Sequence, residues 1–187
     1  TGGVVWEAPL ADWEWVLGVN LFGVVHGLRS FVPLLLQQEE GHVVNTASMA
    51  GVTATPLTGI YNVSKHAVVA LSETLALDLQ GKGAHVGVSC VCPEAIRTGI
   101  ARSERNRPEA HRIGEGDLTP ERQVVGQAIT AALERGLDPD VIAERTVRAI
   151  LEERFWVLAE DDYWNGVCEA RLESIRERRN PSFGPPR

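Results

Sequence analysis

The sequence predicts an α/β fold with a parallel sheet, because short apolar runs alternate with longer segments of helical periodicity. Three runs have the length and β-branched composition of strands, namely His42–Ser48 (HVVNTAS), His85–Cys92 (HVGVSCVC) and Phe155–Ala159 (FWVLA). Strands that alternate with helices are joined by right-handed crossovers, which place them side by side in parallel. The 187 residues, 44% of them hydrophobic, supply one sizeable core, so we predict a single domain over residues 1–187.

Two long helices are predicted at Ala11–Leu36 and Gly59–Gln80. Asp12 stands where the N-cap of the first helix is expected, and Gly81 follows the second helix as a stop signal. Each helix carries few formal charges, so it is expected to be covered on more than one side. One side packs on the sheet. We expect the other side to pair with a copy of the chain, in a homodimer or homotetramer through the 11–36 and 59–80 helices.

The later part of the chain is predicted to form a loop, three helices and the third strand. Thr98–Thr119 is rich in Arg, Glu, Gly and Pro without a sustained period, which predicts a mobile loop beside the site. The arginines of this loop are Arg102, Arg105, Arg107 and Arg112. They could meet an anionic substrate, but nearby acidic residues balance them, and we favour a solvated loop. The helices are predicted at about Pro120–Arg135, Asp138–Arg154 and Asp161–Arg179.

The composition disfavours several classes of partner. A net charge of -7 and a pI near 5.3 argue against nucleic acid or an anionic membrane, and they favour a small-molecule substrate. The three cysteines have neither the count of a disulfide framework nor a metal-ligand spacing, so we predict no metal site and a reducing, cytoplasmic location. The longest charge-free apolar stretch, Trp15–Leu28, is too short to span a bilayer, and we expect a soluble protein.

A catalytic constellation is predicted where the first strand joins the second long helix. Tyr61 and Lys65 stand four residues apart, so their side chains leave the same face of the helix. An ammonium beside a phenol favours the phenolate, and we expect it to lower the pKa of Tyr61 toward the range of a general acid/base. Ser48 can hold the oxygen that gains or loses the proton. Ligands of parallel sheets bind beyond the carboxyl ends of the strands, so Ser48, Tyr61 and Thr98 are expected at one edge.

Four motifs, in order and spacing, resemble the short-chain dehydrogenase/reductase family in its compact-subunit branch. They are VNLFG at Val19–Gly23, NTASMAG at Asn45–Gly51, YNVSK at Tyr61–Lys65 and PEAIRT at Pro93–Thr98. The likeness runs from about Trp13 to Pro108, and the spacing of Ser48 and Tyr61 disfavours the extended, epimerase-type branch. The resemblance implies the carboxyl-terminal portion of a Rossmann-type doubly wound sheet, about three strands with flanking helices.

This resemblance implies a hydride transfer between an alcohol or carbonyl substrate and NAD or NADP, with Tyr61 as general acid/base. Lys65 then lowers the pKa of Tyr61 and binds the nicotinamide ribose, while Ser48 orients the substrate oxygen. Asn20 holds a water that links Lys65 to solvent. The implied cofactor-binding residues are Tyr61, Lys65, Pro93, Ile96 and Thr98. Taken alone, Ser48 is also explained as a turn residue, Thr98 as a helix N-cap, and Asn20 as a helix asparagine satisfied by nearby backbone.

Two departures from the family pattern motivate a second interpretation. Glu94 stands where the family places glycine, so its carboxylate crowds or repels the cofactor unless the turn is adjusted. No glycine-rich strand-to-helix turn occurs in the sequence, which opens with Thr1, Gly2 and Gly3. We therefore expect a fragment without the first mononucleotide-binding half, and the residues that would separate NAD from NADP are missing with it. The alternative function is a non-catalytic dimerising module or an inactive fragment of such an enzyme.

Overall fold

The computed structural model describes residues 2–184 and contains a parallel sheet in the order β1-β2-β3. The strands are β1 Gly41–Thr46, β2 Val86–Cys92 and β3 Trp156–Leu158. Asn45 of β1 lies opposite Cys90 of β2, and Cys90 lies opposite Trp156 of β3. The predicted α/β class and its three parallel strands are confirmed. The single domain predicted over 1–187 includes residues 1 and 185–187, which lie outside the described residues.

The helices of the described residues are α1 Leu10–Leu17, α2 Gly23–Leu35, α3 Gly59–Gly81, α4 Pro120–Glu134, α5 Pro139–Leu151 and α6 Asp162–Arg176. A π-helical turn, Gly18–Phe22, joins α1 to α2, so the long helix predicted first is continuous. The predicted N-cap is wrong. The helix begins after Pro9, whose fixed φ suits a helix start, and Asp12 is a fully buried residue of the first turn.

The segment between β2 and α4 is more ordered than predicted. It folds into three short 3₁₀ turns, Gly99–Asn106, Glu109–His111 and Glu115–Asp117. The expected solvated loop is wrong for Arg107, whose side chain is only 4% exposed and lies against Asp12 of α1. Because an arginine buried in this way needs a fixed partner, the contact ties the segment to α1.

The sheet is covered on both faces, by α3 on one side and α5 on the other. Cys90 and Cys92 of β2 pack in one cluster with Val68 of α3. Val91, which points to the opposite face of β2, packs with Ala149 of α5. Burial on both sides explains the mostly apolar sequence of β2.

The continuous helix α1–α2 and the helix α3 expose several large apolar side chains. These are Val19, Phe22, Phe31, Leu34, Val63 and Leu77. By length and composition alone, Leu10–Leu35 meets the criterion for a membrane-crossing helix, which core helices of soluble proteins and signal sequences also meet. The sequence-based limit on Trp15–Leu28 missed this because it counted only charge-free residues. Pairing of these helices with a second copy stays a prediction.

Replacing Gly51 by alanine is expected to destabilise the fold. The added Cβ would lie 2.8 Å from the Lys65 carbonyl oxygen and 2.9 Å from Val69 Cγ2, both in α3, so the helix would have to move. Overpacking of this kind typically costs about 1–3 kcal/mol of unfolding free energy. Gly126→Ala is the matched control, because that glycine lies in α4 with nothing within 4 Å of an added Cβ.

Urea denaturation of the two variants provides the measurement. Gly126→Ala should be neutral or stabilising by up to about 1 kcal/mol, because alanine is the better helix former. A Gly51→Ala variant as stable as the wild type would show that the turn after β1 is not packed tightly on α3.

Candidate active site

The site lies where the carboxyl ends of β1 and β2 meet the first turns of α3. Ser48 follows β1 and caps a 3₁₀ turn, Met49–Gly51, by accepting a bond from Ala50 N at 3.2 Å. Met49 N donates to the carbonyl oxygen of Pro93 at 3.1 Å, which ties this turn to the residue after β2. Ser48 Oγ itself makes only a long bond of 3.5 Å to that same oxygen. The turn is therefore fixed by backbone bonds, and the serine hydroxyl is left for a second partner.

Tyr61, Ser48 and Lys65 come together as the sequence predicted. Tyr61 is the third residue of α3, and the Ser48 side chain is close enough to its phenol to lower the phenol's pKa. Lys65 Nζ lies 5.7 Å from the centroid of the Tyr61 ring. The ammonium donates to the carbonyl oxygen of Thr46, at the end of β1, at 3.0 Å. One hydroxyl, one phenol and one ammonium thus share the edge of the sheet.

Burial, rather than the lysine, dominates the pKa of Tyr61. Removal from water raises this pKa above its ordinary value of 10.0, and the bond with Ser48 lowers it only in part. The predicted lowering by Lys65 is wrong for this structure, because the ammonium is directed at the Thr46 carbonyl. Burial also lowers the pKa of Lys65, while the nearby sulfurs of Cys92 and Cys90 act in the opposite sense. Both groups are shifted toward their neutral forms.

Asn20 lies in the π-helical turn between α1 and α2. Its Nδ2 donates to Ser64 Oγ at 3.1 Å, and Ser64 Oγ donates to the carbonyl oxygen of Tyr61 at 2.8 Å. The side chain is therefore satisfied by α3, not by the nearby backbone that the alternative explanation required. Turns of this type often mark functional positions. The sequence signal for this turn is a pair of glycines, Gly18 at its first residue and Gly23 directly after it. A water-holding role for Asn20 stays a prediction.

The predicted cofactor loop, Pro93–Thr98, leaves β2 toward α5. Ile96 is buried and pairs with Leu137, just before α5, in an isolated parallel bridge. Arg97 N donates to the Leu137 carbonyl oxygen at 2.8 Å. Thr98 is exposed and precedes the first 3₁₀ turn without capping it by its side chain, so the N-cap explanation fails.

Glu94 does not point into open space. Its side chain is 7% exposed, and Oε1 accepts a bond of 2.9 Å from Arg145 Nη1 of α5. Arg145 Nε also lies 3.4 Å from Glu160, after β3. The negative charge of Glu94 is therefore balanced by Arg145 of α5. This pairing accounts for the glutamate at a position where we expected it to crowd or repel the cofactor. Its second oxygen, Oε2, is buried without a hydrogen-bond partner among the described residues.

The titration of Tyr61 tests this electrostatic picture. The chain has two tyrosines, so a Tyr163→Phe background isolates Tyr61 for absorbance titration at alkaline pH. We expect a midpoint above 10.0, and a further rise in Ser48→Ala, because that change removes the bond that stabilises the phenolate. A raised folded-state pKa contributes stability that is present below about pH 10 and lost as pH rises through the folded pKa. A midpoint below 10.0 would mean that the lysine, not burial, governs the phenol.

Arg145→Met should be strongly destabilising, because it leaves the Glu94 carboxylate buried and unpaired. Breaking a buried pair in this way costs about 3–5 kcal/mol. The double variant Glu94→Gln/Arg145→Met should recover part of the loss. Arg112→Met is the matched control, since the Arg112–Glu109 pair is exposed and worth at most about 1 kcal/mol. Equal losses for Arg145→Met and the control, measured by chemical denaturation, would remove the assigned role of the pair.

Comparison with known proteins supplies an independent view of the chain. A family model described as short chain dehydrogenase matches residues 2–109, more than half of the sequence. The chain is 31% identical over 180 residues to the CLA biosynthesis dehydrogenase/reductase of Lactiplantibacillus plantarum, covering 92% of this chain and 61% of that protein. It is 26% identical over 185 residues to the C alpha-dehydrogenase of a Sphingobium species, covering 98% of this chain and 59% of that protein.

A solved structure extends the likeness to three dimensions. The short chain dehydrogenase/reductase SDR from Burkholderia phymatum, in complex with NAD, superimposes with a TM-score of 0.93 at 45% identity. The match covers 97% of this chain and 64% of that one. The chain therefore spans between 59% and 64% of the length of these three relatives. On this evidence the chain belongs to the short-chain dehydrogenase/reductase family.

Proposed function

We propose that the protein is an NAD(P)-dependent oxidoreductase that interconverts an alcohol and a carbonyl, with Tyr61 as general acid/base. The observation that carries the proposal is the meeting of Tyr61 with Ser48 at the carboxyl end of β1, one helical turn from Lys65. The relatives, which are named as dehydrogenases or reductases, support the reaction class. The substrate is a small molecule that presents one hydroxyl or carbonyl to these side chains.

The proton moves at the Tyr61 oxygen. In reduction the phenol donates its proton to the substrate oxygen, and in oxidation it accepts the proton of the substrate hydroxyl. Burial favours the protonated phenol before reduction, and the proposed role of Ser48 is to hold the same substrate oxygen. Lys65 Nζ lies 5.7 Å from the ring centroid and donates to the Thr46 carbonyl oxygen, so its proposed role here is to bind the cofactor.

NAD or NADP supplies or takes the hydride when bound. The Burkholderia relative solved with NAD supports this class of cofactor. The hydrogen-bond donors of the chain fit this cofactor. Lys65 has three N–H donors, of which one bonds the Thr46 carbonyl oxygen, and Thr98 is an exposed residue with a hydroxyl. Such donors match the hydroxyls of a ribose and the amide of a nicotinamide. The proposed cofactor-binding residues are Tyr61, Lys65, Pro93, Ile96 and Thr98.

The assembly and location follow as parts of the same proposal. The exposed apolar side chains of α1–α2 and α3, including Phe31 at 64% and Leu77 at 66% exposure, fit a homodimer or homotetramer built through these helices. The cysteines Cys90, Cys92 and Cys168 carry free thiols, which fits a reducing cytoplasm.

The second candidate is the non-catalytic dimerising module. The exposed apolar helices favour a dimer in either case, so they do not separate the two functions. One motive for the module was the carboxylate of Glu94, and its pairing with Arg145 removes that motive. Cofactor binding separates the candidates, because an enzyme of this kind must bind NADH or NADPH and a scaffold need bind neither.

We expect Tyr61→Phe to lower kcat by about 10²–10⁴-fold in the whole protein, because the general acid/base is lost. Binding of NADH or NADPH, followed by its fluorescence, should be retained. Tyr163→Phe is the matched control, since it removes the same hydroxyl from an exposed tyrosine of α6. Turnover is measured on a panel of secondary alcohols with NAD and NADP: 2-butanol, cyclohexanol and 1-phenylethanol.

Two results would count against the proposal. Full activity in Tyr61→Phe would remove Tyr61 from the proton-transfer step. A wild-type protein that binds neither NADH nor NADPH would favour the dimerising module.

A further inference from the structure

A buried carboxylate in α1 takes no part in the proposed reaction. Asp12 is 0% exposed, and each of its oxygens faces an arginine. Arg122 Nη1 donates to Oδ2 at 2.8 Å, and Arg107 Nη2 lies 2.8 Å from Oδ1 in an ion pair that is not aligned as a hydrogen bond. The two arginine side chains are only 10% and 4% exposed. We call Asp12, Arg107 and Arg122 the Asp12 clamp.

The groups of the Asp12 clamp have well-defined partners. Arg107 donates two bonds to Glu104, at 2.6 and 2.8 Å, and one to the carbonyl oxygen of His111 at 3.0 Å. Two cations therefore face two carboxylates, Asp12 and Glu104. Taking charges out of water is costly unless each is paired, so the cluster favours one arrangement over partly open ones.

The Asp12 clamp joins parts of the chain that are far apart in sequence. Asp12 belongs to α1, Arg107 to the segment 99–119 that follows the predicted cofactor loop, and Arg122 to the first turn of α4. The segment is thus held at its middle, through Arg107, and just after its end, through Arg122, by one carboxylate. Removing that carboxylate would release both attachments together.

Each arm of the Asp12 clamp reaches the start of α3, where Tyr61 lies, through one intermediate residue. The Arg107 guanidinium lies over the Trp15 ring at 4.1 Å from its centroid, and Trp15 packs with Ile60, the neighbour of Tyr61. A Cβ on Gly3 would lie 2.7 Å from Arg122 Cγ, so the Arg122 stem runs close against Gly3.

Gly3 in turn is anchored directly before α3. Its N–H donates to the Leu57 carbonyl oxygen at 2.8 Å, and it forms a bridge with Thr58. The segment 99–119 is therefore fixed against the helix that carries the proposed general acid/base.

We propose that Asp12 is a positioning residue, which acts through Arg107 and Arg122 to hold the segment 99–119 beside Tyr61 as a wall of the substrate cleft. The inference rests on the proposed oxidoreductase function. A wall that contacts the substrate equally in the ground state and the transition state changes KM and leaves kcat almost unchanged. A residue of the proton-transfer machinery would instead lower kcat.

Limited trypsin digestion of the whole protein tests the closure without any need for activity. Trypsin cuts after arginine except before proline, so the segment offers Arg102, Arg105 and Arg112, while Arg107 is followed by Pro108. Asp12→Asn keeps the shape of the side chain and removes its charge, so cleavage within the segment should be faster by at least about tenfold. Glu109→Gln is the matched control, because it breaks only an exposed ion pair of the same segment and should be cut at the wild-type rate.

Two further variants keep the test decisive if Asp12→Asn fails to fold. Arg122→Met removes one arm of the Asp12 clamp and leaves Arg107 to pair with Asp12. It should also expose the segment, and the conservative Arg122→Lys, which keeps a cation opposite Asp12, should restore part of the protection.

Steady-state kinetics with the fastest secondary alcohol of the panel supply the second readout. For Asp12→Asn or Arg122→Met we expect KM to rise by about tenfold, with kcat within about twofold of the wild type. Wild-type cleavage rates in both variants would overturn the inference. So would faster cleavage with unchanged KM, or a loss confined to kcat.

Failure of the underlying function can be told apart from failure of the Asp12 clamp. A wild-type protein that binds NADH or NADPH but oxidises no alcohol of the panel overturns the positioning role together with the proposed reaction. The digestion result then stands alone, and it decides whether Asp12 closes the segment.

Discussion

The site depends on one close packing arrangement, in which the turn after β1 is held between the end of β2 and the first turns of α3. Met49 N bonds the Pro93 carbonyl oxygen, and Gly51 lies so close to α3 that it has no room for a side chain. Ser48 caps this turn, so its hydroxyl is placed by backbone contacts on both sides. Tyr61 and Lys65 are placed by the same helix. Any movement of the turn relative to α3 would separate the serine from the phenol.

The same packing sets the electrostatics of the site. Bringing Tyr61 and Lys65 out of water raises the pKa of the phenol and lowers that of the ammonium, so both shifts favour the uncharged forms. Separating charge between the two groups is therefore costly in this structure, and the Ser48 bond compensates only part of that cost. A bound group that donates further hydrogen bonds to the phenol oxygen would lower its pKa. The Tyr61 phenol therefore stays protonated until its surroundings change.

The sequence predicted the parts that follow from local periodicity and chain order. The strands and the long helices were correct, because they follow from the alternation of strand and helix periodicity along the chain. The errors concern burial and long-range charge pairs. Asp12, predicted as an N-cap, and Arg107, predicted as a solvated side chain, pair with each other across about half of the chain. Such a pair leaves no periodic signal in the sequence. The expected lowering of the Tyr61 pKa by Lys65 was wrong because the spacing of two residues does not show how deeply they are buried.

The part of the chain beyond the match to the family model, which ends at residue 109, also contributes to the arrangement of the site. Two buried carboxylates in the matched part, Asp12 and Glu94, are neutralised by Arg122 and Arg145, which lie in α4 and α5. Without Arg145 the Glu94 carboxylate would be buried and unpaired, so α5 is needed for its arrangement. Arg122 of α4 adds a second cation to the Asp12–Arg107 pair. The substrate side and the cofactor side of the proposed cleft are each anchored by one such pair. The region with the weaker motif signal therefore fixes the geometry in which the recognisable motifs act.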